Sequence, residues 1–145
     1  MRISKKTEYA VHSVLYITFF KDRTVLLDEL AAQGISREYL AKVMRLLTKS
    51  GILKSSVGVN GGYVLARPAD QITLEDIFNA VEGDAFYRCE SKSRRCGLAG
   101  KCGLAEAFGA ARKMFLSELR KCKMSDMMEK SISDGSWLKN LNPVV

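Results

Sequence analysis

The stretch GISREYLAKVMRLLTKSGILKSSVGVNGGYVLARP, residues 34–68, decides the fold. Its first part has the period of a helix. Leu40, Val43, Leu46 and Leu47 recur at helical spacing, with Arg37, Lys42, Arg45 and Lys49 interleaved, which predicts an amphipathic helix with one apolar face. Ser36 stands at the N-cap position, Glu38 lies in the first turn, and Gly51 follows the last apolar residue; each suits its end of a helix. The pattern then changes to two short extended runs, Ile52–Ser56 and Tyr63–Ala66, joined by Val57-Gly58-Val59-Asn60-Gly61-Gly62. The pair Asn60-Gly61 predicts a hairpin turn, because both residues tolerate positive φ. Arg67-Pro68 closes the unit.

Upstream, Ser4 can cap a helix running to about Phe20, with Val11, Val14, Leu15 and Thr18 on one face and Ala10 and Ile17 beside it. Lys21-Asp22-Arg23 reads as a loop. A short helix follows on Leu26, Leu27, Leu30 and Ala31, stopped at Gly34, with Ile35 plugging the turn. The order helix, helix, turn, helix, hairpin predicts a mainly α fold with a small β-hairpin wing, a winged helix-turn-helix. Downstream, Thr73 and Asp76 form a candidate capping box for a helix on Leu74, Ile77, Phe78 and Val81, ended by Gly83. Residues 84–103 are irregular and carry cysteines. A longer helix from about Leu104 to Lys123 places Ala107, Phe108, Ala111, Phe115 and Leu119 on one stripe. A helix that long in so small a chain predicts packing against a second copy. The expected organisation is a winged helix-turn-helix over residues 1–68, a sensor loop and dimerisation helix over 69–123, and a C-terminal tail over 124–145. In that tail only Trp137 and Leu138 stand out, as candidate docking residues.

Charge is divided unevenly. Residues 1–67 hold 11 Lys/Arg against 5 Asp/Glu, whereas residues 68–145 hold 12 against 11. A basic N-terminal half suits an anionic partner, nucleic acid or an acidic membrane; a merely solvated basic face is the plain alternative. An α-helix fits the major groove of DNA, and its N-terminal residues reach base edges. Ser36, Arg37, Tyr39 and Lys42, with Arg45 a turn later, are the candidate readers on that helix. Ser55, Ser56, Asn60 and Gly61 on the hairpin, together with Arg2, are candidate contacts to phosphates or the adjacent minor groove. The expected partner is a double-stranded, pseudo-palindromic operator bound by a homodimer. The same fold used for protein–protein contact is the other reading. No stretch approaches the about 20 apolar residues of a membrane span, no signal peptide is evident, and the expectation is a cytoplasmic protein with no membrane partner. No nucleophile–base constellation or phosphate-binding glycine loop points to an enzyme.

Cys89, Cys96 and Cys102 are spaced C-x6-C-x5-C and are surrounded by Arg88, Lys92, Arg94, Arg95 and Lys101 against a single acid, Glu90. Cationic neighbours favour thiolates and offset the charge of a thiolate-bound cluster. The spacing is not that of a zinc finger. It leaves open a metal cofactor, a cofactor-free thiol sensor or plain structural cysteines. Cys122 reads as a packed residue.

Taken together, Met1-Arg2-Ile3-Ser4, Glu8-Tyr9-Ala10-Val11, Gly34-Ile35-Ser36, Tyr39-Leu40, the run Gly61–Pro68 and the three cysteines ahead of an amphipathic helix resemble the Rrf-type family of winged-helix transcription regulators, whose branches include IscR-, NsrR-, RirA- and RsrR-like proteins. The resemblance covers about residues 1–123. It implies a dimeric DNA-binding regulator whose long helix crosses to the partner and which often carries an iron–sulfur cluster. This chain departs from the pattern twice. The wing stretch Ser56-Val57-Gly58-Val59 lacks the arginine many members carry there, and Ala105 stands where IscR-like members place a histidine. The fourth ligand must then come from elsewhere. Glu8 and His12, at i and i+4, share one helical face. The resemblance to RsrR-like redox sensors implies a 2Fe-2S cluster held by Glu8, His12 and two of Cys89, Cys96 and Cys102. A 4Fe-4S cluster on all three cysteines and Glu8 is the alternative, and an ordinary Glu–His surface pair is the plain one. Oxygen or nitrogen ligands in place of thiolate raise a cluster's potential into a range useful for sensing.

Overall fold

The computed structural model describes residues 3–32, 34–83 and 102–133. Six helices and one hairpin are present among them: α1 (Lys5–Phe19), α2 (Leu27–Ala31), α3 (Arg37–Lys49), β1 (Leu53–Ser56), β2 (Gly62–Leu65), a 3-10 turn (Ala69–Gln71), α4 (Leu74–Glu82), α5 (Gly103–Arg120) and α6 (Met124–Ser133). This is the mainly helical winged helix-turn-helix with a two-stranded antiparallel wing.

α1 is the central helix. Ser4 caps it by accepting a hydrogen bond from the Thr7 N–H. Its buried residues, Thr7, Ala10, Ser13, Val14, Leu15, Tyr16 and Ile17, occupy more of its circumference than the single face its sequence suggests. The reason is that α3, α4, α6 and the wing all pack around it. One core unites Val14, Tyr16 and Ile17 with Leu40, Met44 and Leu47 of α3, Ile77 of α4, and Met124 and Met128 of α6. Burying such side chains is worth about 1.5–3 kcal/mol each. The stretch after Met124 carries few signals in the sequence, yet it is helical to Ser133 and fills this core. α5 ends at Arg120, short of Lys123, because the chain turns there: Leu74 N–H donates to Cys122 O (2.8 Å) and Met124 N–H to Ile72 O (2.9 Å).

The helix stops at Gly34, Gly51 and Gly83 have φ of 85°, 76° and 58°, the left-handed values such stops require. Thr73 and Asp76 form the capping box of α4. Ser36 immediately precedes α3, but its hydroxyl makes no capping bond. The wing turn also differs from expectation. Asn60 and Gly61 do not take positive φ; Gly58 does, at 111°. A β-turn spans Gly58–Gly61, closed by Gly61 N–H donating to Gly58 O at 2.9 Å. The register, Ser56 opposite Gly62 and Leu53 opposite Leu65, is set at the base of the wing. There Tyr63 exchanges two backbone bonds with Val25 (3.0 and 2.8 Å), which adds a third strand-like edge from the α1–α2 connection. Gly62 is what allows that approach: a Cβ there would lie 2.5 Å from Val25 O.

The α1–α2 connection is itself fixed. Arg23 makes a two-pronged bond to Glu29 (2.9 and 2.7 Å) and lies 4.4 Å over the Phe20 ring. Glu29 also accepts the Leu26 N–H at 3.0 Å. Burial pushes the Tyr16 hydroxyl pKa up, and Glu29 beside it adds to the shift. Bidentate arginine pairs of this kind are the stronger class of ionic hydrogen bond.

Candidate nucleic-acid interface and ligand helix

The N-terminal half of α3 stands in solvent. Ser36, Arg37, Glu38 and Tyr39 are exposed, as are Lys42 and Arg45. Three of the side chains expected on the DNA side, Arg37, Lys42 and Arg45, therefore present cations on one element, Lys42 and Arg45 opposite the buried Leu40, Val43, Met44 and Leu47 and Arg37 in the first turn. Arg37 is held by Asp28 of α2 (Nε–Oδ1, 2.6 Å), and both partners are exposed. Tyr39 sits edge-on to Tyr9 of α1, centroids 5.8 Å apart. Ala41, Arg45, Thr48 and Lys49 of α3 line a cleft of about 500 Å³ whose other wall is Ser55 and Tyr63 of the wing. Helix and wing thus stand on either side of one groove with cations on its helical wall. That suits a phosphate backbone running between a major groove on α3 and a minor groove at the wing. Ser55, Ser56 and Asn60 are exposed; Gly61 is buried behind the tip, where a Cβ would lie 2.7 Å from Ser56 O, so its candidate role is confined to shaping the turn. Val57 and Val59, not singled out as contacts in the sequence, are fully exposed at the tip. Arg2 lies outside the described residues.

α1 shows solvent little more than a stripe. Its exposed residues are Lys5, Glu8, His12 and Phe19, so the two candidate ligands Glu8 and His12 lie on the outward face of an otherwise packed helix. Cys102 is half-buried at the N-cap of α5 and makes no capping bond. Cys89 and Cys96 lie outside the described residues. Among the described residues no three metal-binding side chains of one protomer come together. Carboxylate, imidazole and thiolate are nevertheless a donor set that suits iron. Cys122, expected to be packed, is exposed.

The start of α1 is tied to the end of α4 by Glu82. Its carboxylate accepts from the Thr7 hydroxyl (2.6 Å) and from the Ser4 hydroxyl, and Lys6 Nζ lies 3.7 Å away. Lys6 also donates to Val81 O at 2.9 Å. Burial pushes the Glu82 carboxyl up, but the two hydroxyls and Lys6 outweigh it, and the group sits below the ordinary carboxylate value. No local pattern marks Glu82, because its partners are 75 and 78 residues away.

α5 meets its own protomer through Leu116, which is buried, and through Phe115, packed on Phe78 with centroids 5.2 Å apart. Leu104, Ala107, Phe108, Ala111 and Met114 are exposed. Arg120 anchors the far end with a two-pronged bond to Glu75 (2.5 and 2.9 Å). No helix among the described residues is long and apolar enough to cross a membrane.

Comparison with known proteins places these features. Residues 3–130 match the Rrf2 family, described as an iron-dependent transcriptional regulator. The chain is 33% identical over 132 residues to Protein aau3 of Rhizobium meliloti strain 1021, covering 89% of this chain and 86% of that one. Among solved structures it is similar to IscR of T. potens, with a TM-score of 0.70 and 24% identity over 90% of this chain and 88% of that one. It is also similar to CymR, the global cysteine regulator of B. subtilis, with a TM-score of 0.65 and 23% identity over 90% of this chain and 98% of that one. At these identities the likeness to solved structures concerns the fold.

Proposed function

The chain belongs to the Rrf2 family of transcription regulators, not enzymes, and from that premise we propose that it is a homodimeric DNA-binding regulator whose operator affinity is set by an iron–sulfur cluster. The observation that carries this reading is the placement of Glu8 and His12 on the outward stripe of α1, the helix whose other faces pack against α3 and the wing. A ligand held there bears on the DNA-reading elements through one rigid helix. Glu8, His12 and two of Cys89, Cys96 and Cys102 would hold a 2Fe-2S cluster, which when bound supplies a one-electron redox centre. The chain's own part is mechanical. α1 holds the Glu8 and His12 donors in fixed register, Tyr9 rests on Tyr39 of the recognition helix, and Glu82 fixes where α1 begins. A shift of α1 therefore changes where each recognition helix stands, and paired half-sites accept only one spacing.

The exposed apolar residues of α5 support a dimer. Leu104, Ala107, Phe108, Ala111 and Met114 recur at helical spacing and leave an apolar face that a second copy covers. The expected operator is a pseudo-palindromic duplex.

The test is anaerobic purification with a visible absorption spectrum and an iron and sulfide count, repeated on His12→Ala. A coloured protein whose spectrum changes in the variant supports the two-iron site. An unchanged spectrum selects the 4Fe-4S site on the three cysteines and Glu8. Absence of iron with DNA binding intact selects a metal-free thiol regulator. DNA binding that is absent or insensitive to salt selects a protein-interaction module, because phosphate contacts make true DNA binding steeply salt-dependent.

A further inference from the structure

Val57 and Val59 flank Gly58 at the wing tip, and both are as exposed as a residue can be, 100% and 103%. Nothing in the fold requires them. They contribute to no core, and the turn is closed by Gly58 and Gly61 through the backbone. Two β-branched apolar side chains fully in water bury no apolar surface inside the protomer and so add nothing to its stability. The tip carries no charge: Lys54, the only charged residue of the hairpin, stands back along β1, and Ser55, Ser56 and Asn60 are neutral.

We infer that Val57 and Val59 form an apolar minor-groove reader, a contact that distinguishes A·T from G·C pairs beside each half-site without an arginine. This rests on the DNA-binding reading above. Continuity points to DNA: the tip extends the same hairpin whose base forms the cleft with Arg45 and Lys49, so a duplex seated on α3 carries its next minor groove past the tip. Size points the same way. Two valines fall far short of the about 800 Å² per partner that a specific protein interface buries, whereas a narrow turn matches a minor groove about 6 Å wide. The chemistry gives the specificity. In that groove A·T pairs show only acceptors, while G·C adds the guanine N2 amino donor. Valine methyls pack on the sugar walls of an A·T step but offer that amino group no acceptor, so a G·C step leaves a desolvated donor unpaired.

The experiment uses the full chain and a duplex it selects from a random-sequence pool. Each A·T pair flanking the half-sites is replaced in turn by G·C or by inosine·cytosine, which has the major-groove edge of G·C but lacks the minor-groove amino group. At one or two flanking pairs, G·C should weaken binding about tenfold while inosine·cytosine does not. In Val57→Thr/Val59→Thr, which keeps the side-chain shape and supplies hydroxyl acceptors, that discrimination should vanish with the salt slope unchanged. The valines are fully exposed, so the variant folds. Flanks that lack A·T pairs or bind G·C equally well, or discrimination that persists in the variant, overturn the inference. A pool that yields no duplex overturns the DNA-binding reading and this contact with it, whereas a bound duplex indifferent to the variant overturns this contact alone.

Discussion

The carboxylate of Glu82 joins the last turn of α4 to the first turn of α1 across 75 residues of chain. It accepts from the hydroxyls of Ser4 and Thr7, one of them the helix cap itself. Its folded pKa lies below the ordinary value, so the stability it contributes is fully present above about pH 4.3 and is lost as pH falls through the folded pKa. Glu82→Gln should destabilise the protein at pH 7 by about 1–2 kcal/mol, and the gap to wild type should close in acid. Urea titrations at neutral pH and near pH 3 measure it; a gap constant with pH would remove the charge from the account. Sequence reading had no route to Glu82, since its role depends on which helix ends meet. It had a route to Ser4, Thr73 and Asp76, because caps are local. Arg37 shows the intermediate case. Its place at the start of α3 is legible, but its bond to Asp28 comes from the angle between two helices.

At the scale of elements, periodicity carried the reading where burial is one-sided, as in α3 and α4, and fell short where it is not. α1 is packed on most sides, so its pattern understates what it buries. The wing is the sharper lesson. Asn60-Gly61 is a strong turn signal, yet the turn is built on Gly58, because the register is set from the base by the Val25–Tyr63 bridge rather than from the tip. Gly62 should therefore be the sensitive glycine. A Cβ at Gly62 meets Val25 O at 2.5 Å and Thr24 Cγ2 at 2.7 Å, with φ at 140°, whereas a Cβ at Gly58 meets nothing within 4 Å. Gly62→Ala should cost more than about 2 kcal/mol and weaken DNA binding by loosening the wing, and Gly58→Ala should cost only its φ strain, about 1 kcal/mol. Chemical denaturation of the two variants side by side checks this; equal losses would mean that the bridge does not anchor the wing.

For the whole molecule the proposed dimer makes one quantity decisive: how two protomers would share one operator. Leu104 and Met114, 57% and 73% exposed, lie on the face of α5 assigned to the second copy. Leu104→Glu/Met114→Glu should sediment as a monomer that still folds, since neither side chain belongs to the core, with a thermal midpoint that is lowered and no longer depends on protein concentration. Its affinity for a two-half-site duplex should fall by at least about a hundredfold, because the second half-site is then no longer bound at high effective concentration. A variant that stays dimeric would move the interface off this face. In the sequence the proposed dimer rests only on the length of its long helix.

α6 has one more consequence, and it concerns the order in which the protein is made. Met124 and Met128 complete the core around α1, yet they leave the ribosome after the wing, the cysteine segment and the long helix. A nascent chain holding only the helix-turn-helix has an open apolar flank and no finished core. The helix-turn-helix gains its full core only when the cysteine segment and the long helix have already been synthesised, so a truncated product lacking α6 should yield an unstable head rather than a working DNA-binding fragment.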